Sequence, residues 1–103
     1  MRRYGLHGKL KSINGKGEEL ASILSEASRL ISSATGCHLY MISLDNKDEN
    51  CVWVTEVWDS KEDHDNSLKV QGVRELISRA IPIIDGPPEK GQELQVVFGI
   101  GDE

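Results

Sequence analysis

Two side chains near the middle of the sequence have the chemistry of a proton acceptor and fall close together. Glu56 interrupts an otherwise apolar run, Cys51-Val52-Trp53-Val54-Thr55-Glu56-Val57-Trp58, and His64 follows shortly after. Imidazole titrates near neutral pH, so a histidine oriented or made more basic by a carboxylate suits general-base work. Tyr40 supplies a phenolic donor, and Trp58 a ring face on which a planar molecule can stack. His38 and His7 are the other imidazoles in the chain. His64, His38, Glu56 and Tyr40 are therefore the candidate catalytic residues, and Trp58 and His7 the candidate substrate-binding residues. Each has a plainer alternative. Glu56 can be held in a cross-strand hydrogen bond, His64 can be a solvated helix residue between Asp63 and Asp65, and Trp58 can be core. His38 and His7 fall near strand ends or charged strand faces.

For these groups to meet, one strand must run through a capped turn into a helix. Alternation puts Val52, Val54, Glu56 and Trp58 on one face of that strand, with Cys51, Trp53, Thr55 and Val57 on the other. Ser60 is placed to cap a helix start, with Asp63 three residues on, which predicts a short helix from Lys61 to about Leu68. Upstream, Cys37 to Asp45 pairs with Cys51 to Asp59 as a hairpin whose partner numbers sum to about 96. This register sets Tyr40 opposite Glu56, His38 opposite Trp58, Cys37 opposite Asp59 and Cys51 opposite Asp45. The two cysteines then sit at opposite ends of the hairpin, beyond disulfide reach, and read as inert small hydrophobes.

The flanking elements complete the pattern. Arg3 to Lys11 alternates Tyr4, Leu6, Gly8 and Leu10 against charged or small residues, which predicts a first strand. Asn14, Gly15 and Gly17 turn the chain, Glu18 and Glu19 suit a helix N-terminus, and Leu20, Ile23, Leu24, Ala27, Leu30, Ile31 and Ala34 form one apolar stripe ending at Gly36. Val73, Leu76, Ile77, Ala80, Ile81 and Ile84 predict a second long helix that Pro82 bends or ends. Gly86-Pro87-Pro88 is a turn, and Gln92 to Phe98 a fourth strand. The order βαββαβ predicts an α+β, ferredoxin-like fold, a four-stranded antiparallel sheet with helices on one face. The other face, with Trp53 and Met41 near its centre, is too apolar to stay wet, which predicts a homodimer packed sheet against sheet as a dimeric α+β barrel.

The 103 residues suit one domain spanning 1–103, with room for a modest pocket. Twelve basic against 17 acidic residues, a net charge of -5, oppose a grip on nucleic acid. The start MRRYGLHGKL lacks the apolar run of a signal peptide and no segment is long enough to span a bilayer, so the expectation is a soluble cytoplasmic protein with no membrane partner. No histidine pair or carboxylate spacing suggests a metal site, and no glycine loop cradles phosphate. The third strand lacks the basic and aromatic pattern of an RNA-binding module with this topology.

Taken together, Gly15-Lys16-Gly17 before the first helix, Gly36-Cys37 and Tyr40 opening the second strand, and Glu56-Val57-Trp58-Asp59-Ser60-Lys61-Glu62 closing the third resemble the antibiotic biosynthesis monooxygenase family. These small dimeric α+β barrels include cofactor-independent quinol and anthrone oxygenases. The resemblance implies a pocket between sheet and helices in each subunit, and oxidation of a small electron-rich aromatic by O2 without flavin, haem or metal. It also marks departures. Ser67 and Gly72 stand where many members carry histidine. Ser67 and Ile77 stand where haem-degrading relatives carry tryptophan and the iron-ligating histidine, so haem degradation is not expected.

Direct reaction of a quinol with O2 needs the ring as an anion, because O2 takes an electron far more readily from a phenolate than from a phenol. A protein must then supply a base, a donor to the oxyanion and apolar walls. His64 or His38 fits the base, Tyr40 the donor, Glu56 the group that orients a histidine, and Trp58 the stacking wall. Two alternatives come from other classes. One is a non-enzymatic dimeric barrel that binds a small ligand; the other is an isomerase or detoxifying enzyme for a small carbonyl compound, since fold does not fix function.

Overall fold

The structure is a computed structural model in which residues 2–87, 89–97 and 99 are described. Strand β1 spans Arg3–Lys11, helix α1 Gly17–Ile31, β2 Cys37–Leu44, β3 Cys51–Trp58, α2 Lys61–Ser67, α3 Val73–Ala80 and β4 Gln92–Val96. The strands form one antiparallel sheet in the order β2-β3-β1-β4, with the split βαβ connectivity of the ferredoxin-like fold.

The inner face of the sheet follows from alternation. Tyr4, Leu6, Gly8 and Leu10 of β1 pair with Trp58, Glu56, Val54 and Val52 of β3, and Tyr40, Ile42 and Leu44 of β2 pair with Glu56, Val54 and Val52. The helices cover this face. Leu20, Ile23 and Ala27 of α1 pack with Val52, Leu76 and Ala80 in one cluster, and Ile31, Trp58 and Val73 form a second. Gly17 lets the N-terminus of α1 approach the β2–β3 loop, where an added Cβ would collide with the Glu49 carbonyl oxygen.

Tyr40 does lie opposite Glu56, and the hairpin keeps the expected sum from Leu39↔Val57 to Leu44↔Val52. It departs at the start of β2. An irregularity between Cys37 and Leu39 puts Cys37, not His38, opposite Trp58, so His38 leaves the inner-face row and Cys37 does not face Asp59. A bulge adds one residue to one strand, and the side chain at that point is re-aimed.

Two elements are shorter than their apolar periodicity predicts. The stripe of α1 continues to Ala34, but the helix stops at Ile31; the Ala34 N–H bonds back to the Ile31 carbonyl and Gly36, at φ 83°, turns the chain into β2. Helix α3 ends at Ala80 and a 3-10 turn covers Ile81–Ile83, because Pro82 offers no amide to continue the helix. Ile84 then bridges to Ser12 as isolated β structure rather than extending the helix. Strand β4 ends at Val96, and the expected last strand residue, Phe98, lies outside the described residues. Leu94 and Val96 pair with Gly5 and Arg3, which places them on the outer face of the sheet. Among the described residues no helix is long and apolar enough to cross a membrane.

Candidate active site

Glu56 is the only acidic residue in β3, and alternation turns it into the core. Its side chain is 7% exposed. Burial pushes its carboxyl above the ordinary range, opposed by the hydrogen bond from Trp58 and by the charge of His64. The expected cross-strand bond to Tyr40 is not made. Instead Trp58 Nε1 donates to Glu56 Oε1 at 3.0 Å. Trp58 itself is fully buried among Ile31, Val73, Tyr4 and Tyr40, so it acts as core and as the donor that holds Glu56.

On one side of Glu56 is a cavity of about 240 Å³ between the sheet and the helices. Leu6, Gly8, Lys9 and Leu10 of β1, Leu24 of α1, Tyr40, Val54 and Glu56 of the hairpin, and Ile77 of α3 line it, with Glu89 and Gly91 from the segment before β4. Gly8 removes a side chain from the middle of the inner face of β1. The chain crosses close above it: a Cβ on Gly8 would stand 3.0 Å from the Gly91 Cα. Tyr40 is held protonated over a wide range, since burial, and then the neighbouring Glu56, push its phenol well above the usual tyrosine value. The cavity thus combines apolar walls with a phenolic donor and one buried carboxyl.

Behind Glu56, away from the cavity wall, stands His64. The Ser60 hydroxyl accepts from the Asp63 amide at 3.1 Å, as expected of the cap, and α2 places His64 in its last turn. His64 Nε2 is 3.6 Å from Glu56 Oε1, and Nδ1 is 2.9 Å from Asp65 Oδ1. The imidazole meets Trp58 edge-on with centroids 6.0 Å apart, and Tyr4 at 5.8 Å. Tyr4 donates to Glu93 Oε2 at 2.8 Å; burial, then this carboxylate, pushes its phenol up to about 12.

The remaining two imidazoles stand elsewhere. His38 Nε2 is 2.6 Å from Asp59 Oδ1 at the edge of the sheet. His7 lies on the outer face, stacked on Trp53 with centroids 4.9 Å apart and with Nδ1 3.0 Å from Thr55 Oγ1. The structure therefore brings Glu56, Tyr40, Trp58 and His64 together and leaves His38 and His7 outside the group. Sequence reasoning missed Gly8, Asp65, Tyr4 and the Glu89–Gly91 segment. A glycine on the inward row of a strand was the available signal for the cavity. Among the described residues no group of three or more His, Cys, Asp or Glu is arranged to hold a metal ion.

The sequence profile of the family described as antibiotic biosynthesis monooxygenase matches residues 3–79. Among solved structures, a Chloroflexus aurantiacus J-10-fl protein bearing the name "putative antibiotic biosynthesis monooxygenase" is 37% identical, with 98% of this chain and 99% of that one covered and a TM-score of 0.87. A Nitrosomonas europaea protein of the same name superposes with a TM-score of 0.86 at 11% identity, covering 93% and 91% of the two chains. A conserved protein from Methanosarcina mazei Go1 gives 0.81 at 13% identity over 94% and 95%. These two show a shared fold. In the comparison with curated proteins nothing matches.

Proposed function

The chain belongs to the antibiotic biosynthesis monooxygenase family, and from that premise we propose that it oxidises a small quinol or related electron-rich aromatic with O2 in the cavity beside Glu56. Family membership and the named neighbours support a general monooxygenase-like role. The observation that supports the finer reading is the buried carboxyl of Glu56 on the wall of an apolar cavity of about 240 Å³, facing across the strands to Tyr40. That volume lies between the roughly 150 Å³ of a cavity that takes up benzene and the larger pockets of drug-sized ligands, and so suits a one- or two-ring molecule.

In this reading Glu56, backed by His64, accepts a proton from one ring hydroxyl. Tyr40 donates a hydrogen bond to the resulting oxyanion. The anion passes one electron to O2, and the radical pair joins as a ring peroxide that takes back the first proton as a hydroperoxide. Loss of the hydrogen on that ring carbon cleaves the O–O bond to a carbonyl, its proton joining the departing hydroxide as water. The balance is quinol plus O2 giving hydroxyquinone plus water: one oxygen atom enters the ring, the other leaves as water, and all four electrons come from the substrate. The apolar walls keep water from quenching the intermediate.

The reading includes a second copy of the chain. Leu39, Met41 and Leu94 on the outer face are 37%, 47% and 49% exposed, and a two-fold axis sets like patches against each other. Sedimentation equilibrium at micromolar concentration should give a dimer; a stable lone subunit would remove this part. For the activity, oxygen uptake is measured with a panel of hydroquinones on the parent, Glu56→Gln and Tyr40→Phe. Uptake by the parent that falls in both variants supports the oxygenase. Equal uptake in all three removes the assigned site, and tight binding of hydroquinone without uptake would favour a ligand-binding barrel.

A further inference from the structure

The imidazole of His64 has a carboxylate at each nitrogen, and the two carboxylates differ in surroundings. Glu56, at 3.6 Å from Nε2, has a side chain 7% exposed and belongs to the cavity wall. Asp65, at 2.9 Å from Nδ1, has a side chain 55% exposed. Asp65 is held below the ordinary carboxylate range, first by its hydrogen bond with His64 and then by Lys61, whose Nζ is 3.5 Å away. An ionised carboxylate only accepts hydrogen bonds, so the proton of a neutral imidazole must sit on Nδ1. That leaves the Nε2 lone pair aimed at Glu56. The 3.6 Å gap is longer than the ~3.2 Å limit of a good N–H···O bond, a looseness common before substrate tightens a site.

We propose that Asp65 is a positioning residue that fixes the His64 tautomer, so that Glu56 and Nε2 share one proton beside the cavity. The inference rests on the oxygenase reading. When Glu56 takes the ring proton, His64 accepts it at Nε2 as imidazolium between two carboxylates; when the ring peroxide forms, the proton returns by the same route to the outer oxygen, the one that leaves as water. No net proton is gained or lost, and no ring flip is needed. The other groups facing this relay are Tyr4 from β1, Cys37 and Tyr40 from β2, Lys61 from α2 and Glu93 from β4. Glu93 lies 2.8 Å from the Tyr4 hydroxyl and 3.9 Å from Lys61 Nζ, so the charges around the relay are themselves tied together.

The test uses the full chain with 15N-labelled histidine, as the parent and as Asp65→Ala and Asp65→Asn. Ring nitrogen shifts at neutral pH should show the His64 proton on Nδ1 in the parent and its redistribution toward Nε2 in Asp65→Ala. With hydroquinone, both variants should lose turnover roughly tenfold to a hundredfold at unchanged KM, the scale expected when an orienting carboxylate is removed from a working histidine. Asp65→Glu should restore part of it. A parent protonated on Nε2, or a tautomer unmoved in Asp65→Ala, would overturn the assignment. If the parent takes up no oxygen, the oxygenase reading fails on its own, and the tautomer shifts alone decide the role of Asp65.

Discussion

The two faces of the sheet carry the same three kinds of side chain in different surroundings. On the inner face Trp58 Nε1 donates to Glu56 Oε1 at 3.0 Å, and His64 meets the indole edge-on at 6.0 Å. On the outer face Trp53 Nε1 donates to Asp45 Oδ2 at 2.9 Å, and His7 stacks on the indole at 4.9 Å. Burial pushes the inner carboxyl up, whereas the hydrogen bonds from Trp53 and the Lys47 amide hold the outer one below its ordinary range. Raising a carboxyl makes it a better proton acceptor, while a surface carboxylate held below its ordinary range stays charged and takes up protons less readily. The inner trio adjoins a cavity of about 240 Å³ covered by the helices, whereas His7 and Trp53 of the outer trio line a hollow of about 420 Å³ with Lys9, Glu89, Lys90 and Gln92. Residue type did not distinguish them; enclosure by the helices did.

The largest expected difference between the trios is catalytic. Glu56→Gln should lower turnover by roughly 10²–10⁴-fold, the usual contribution of a general base, while Asp45→Asn leaves oxygen uptake unchanged. Equal losses would dissolve the distinction. The next is in stability. Trp58 is completely buried, and Trp58→Ala should cost about 3–5 kcal/mol in urea unfolding. Trp53 is only half-buried, so Trp53→Ala should cost roughly 1–2 kcal/mol. A further loss that depends on protein concentration would support the proposed dimer.

A third difference has opposite signs in pH. The folded state raises the carboxyl of Glu56 above its ordinary 4.5, so folding binds a proton there. The associated stability is fully present below that ordinary value and is lost as pH rises through the raised one. Asp45, lowered from 3.8, contributes stability above its ordinary value that is lost as pH falls through the depressed one. Urea midpoints measured from acid to neutral pH should therefore show Glu56→Gln gaining on the parent as pH rises, and Asp45→Asn losing to it. Oxygen uptake should fall with acid as Glu56 becomes protonated.

Period and punctuation made most of the scaffold legible in the sequence. Alternation in β1 and in the hairpin, the stripe of α1, the Ser60 cap and the helix-ending Pro82 all correspond to observed features, because each rests on local geometry that tertiary contacts reinforce. The site was legible only in part. Glu56 and Tyr40 could be paired by register, but the bond to Trp58 joins neighbours on the same face of one strand, two residues apart, and simple cross-strand pairing does not show it. The sequence sets Asp65 beside His64 without showing a bond between them; only the rotamers that turn both side chains together reveal the 2.9 Å contact. The face taken by Leu94 and Val96 depends on where β4 docks along β1, which alternation within β4 cannot specify.

His38 gives the smallest expected effect and the sharpest check on register. An uninterrupted hairpin would set it on the inner face opposite Trp58, beside the relay. The irregularity between Cys37 and Leu39 takes it out of that row, to a pairing with Asp59 whose side chain is 57% exposed. Arg3 Nε is a further 3.9 Å neighbour of the same Asp59 oxygen, so this edge carries charge of both signs and is open to solvent screening. An exposed pair of this kind contributes about 0–1 kcal/mol. His38→Ala should accordingly leave oxygen uptake at the parent's level and move the urea midpoint only slightly. A loss of turnover approaching that of Glu56→Gln would mean that the strand pairs in the uninterrupted register during catalysis, and that the relay begins at β2 rather than at α2.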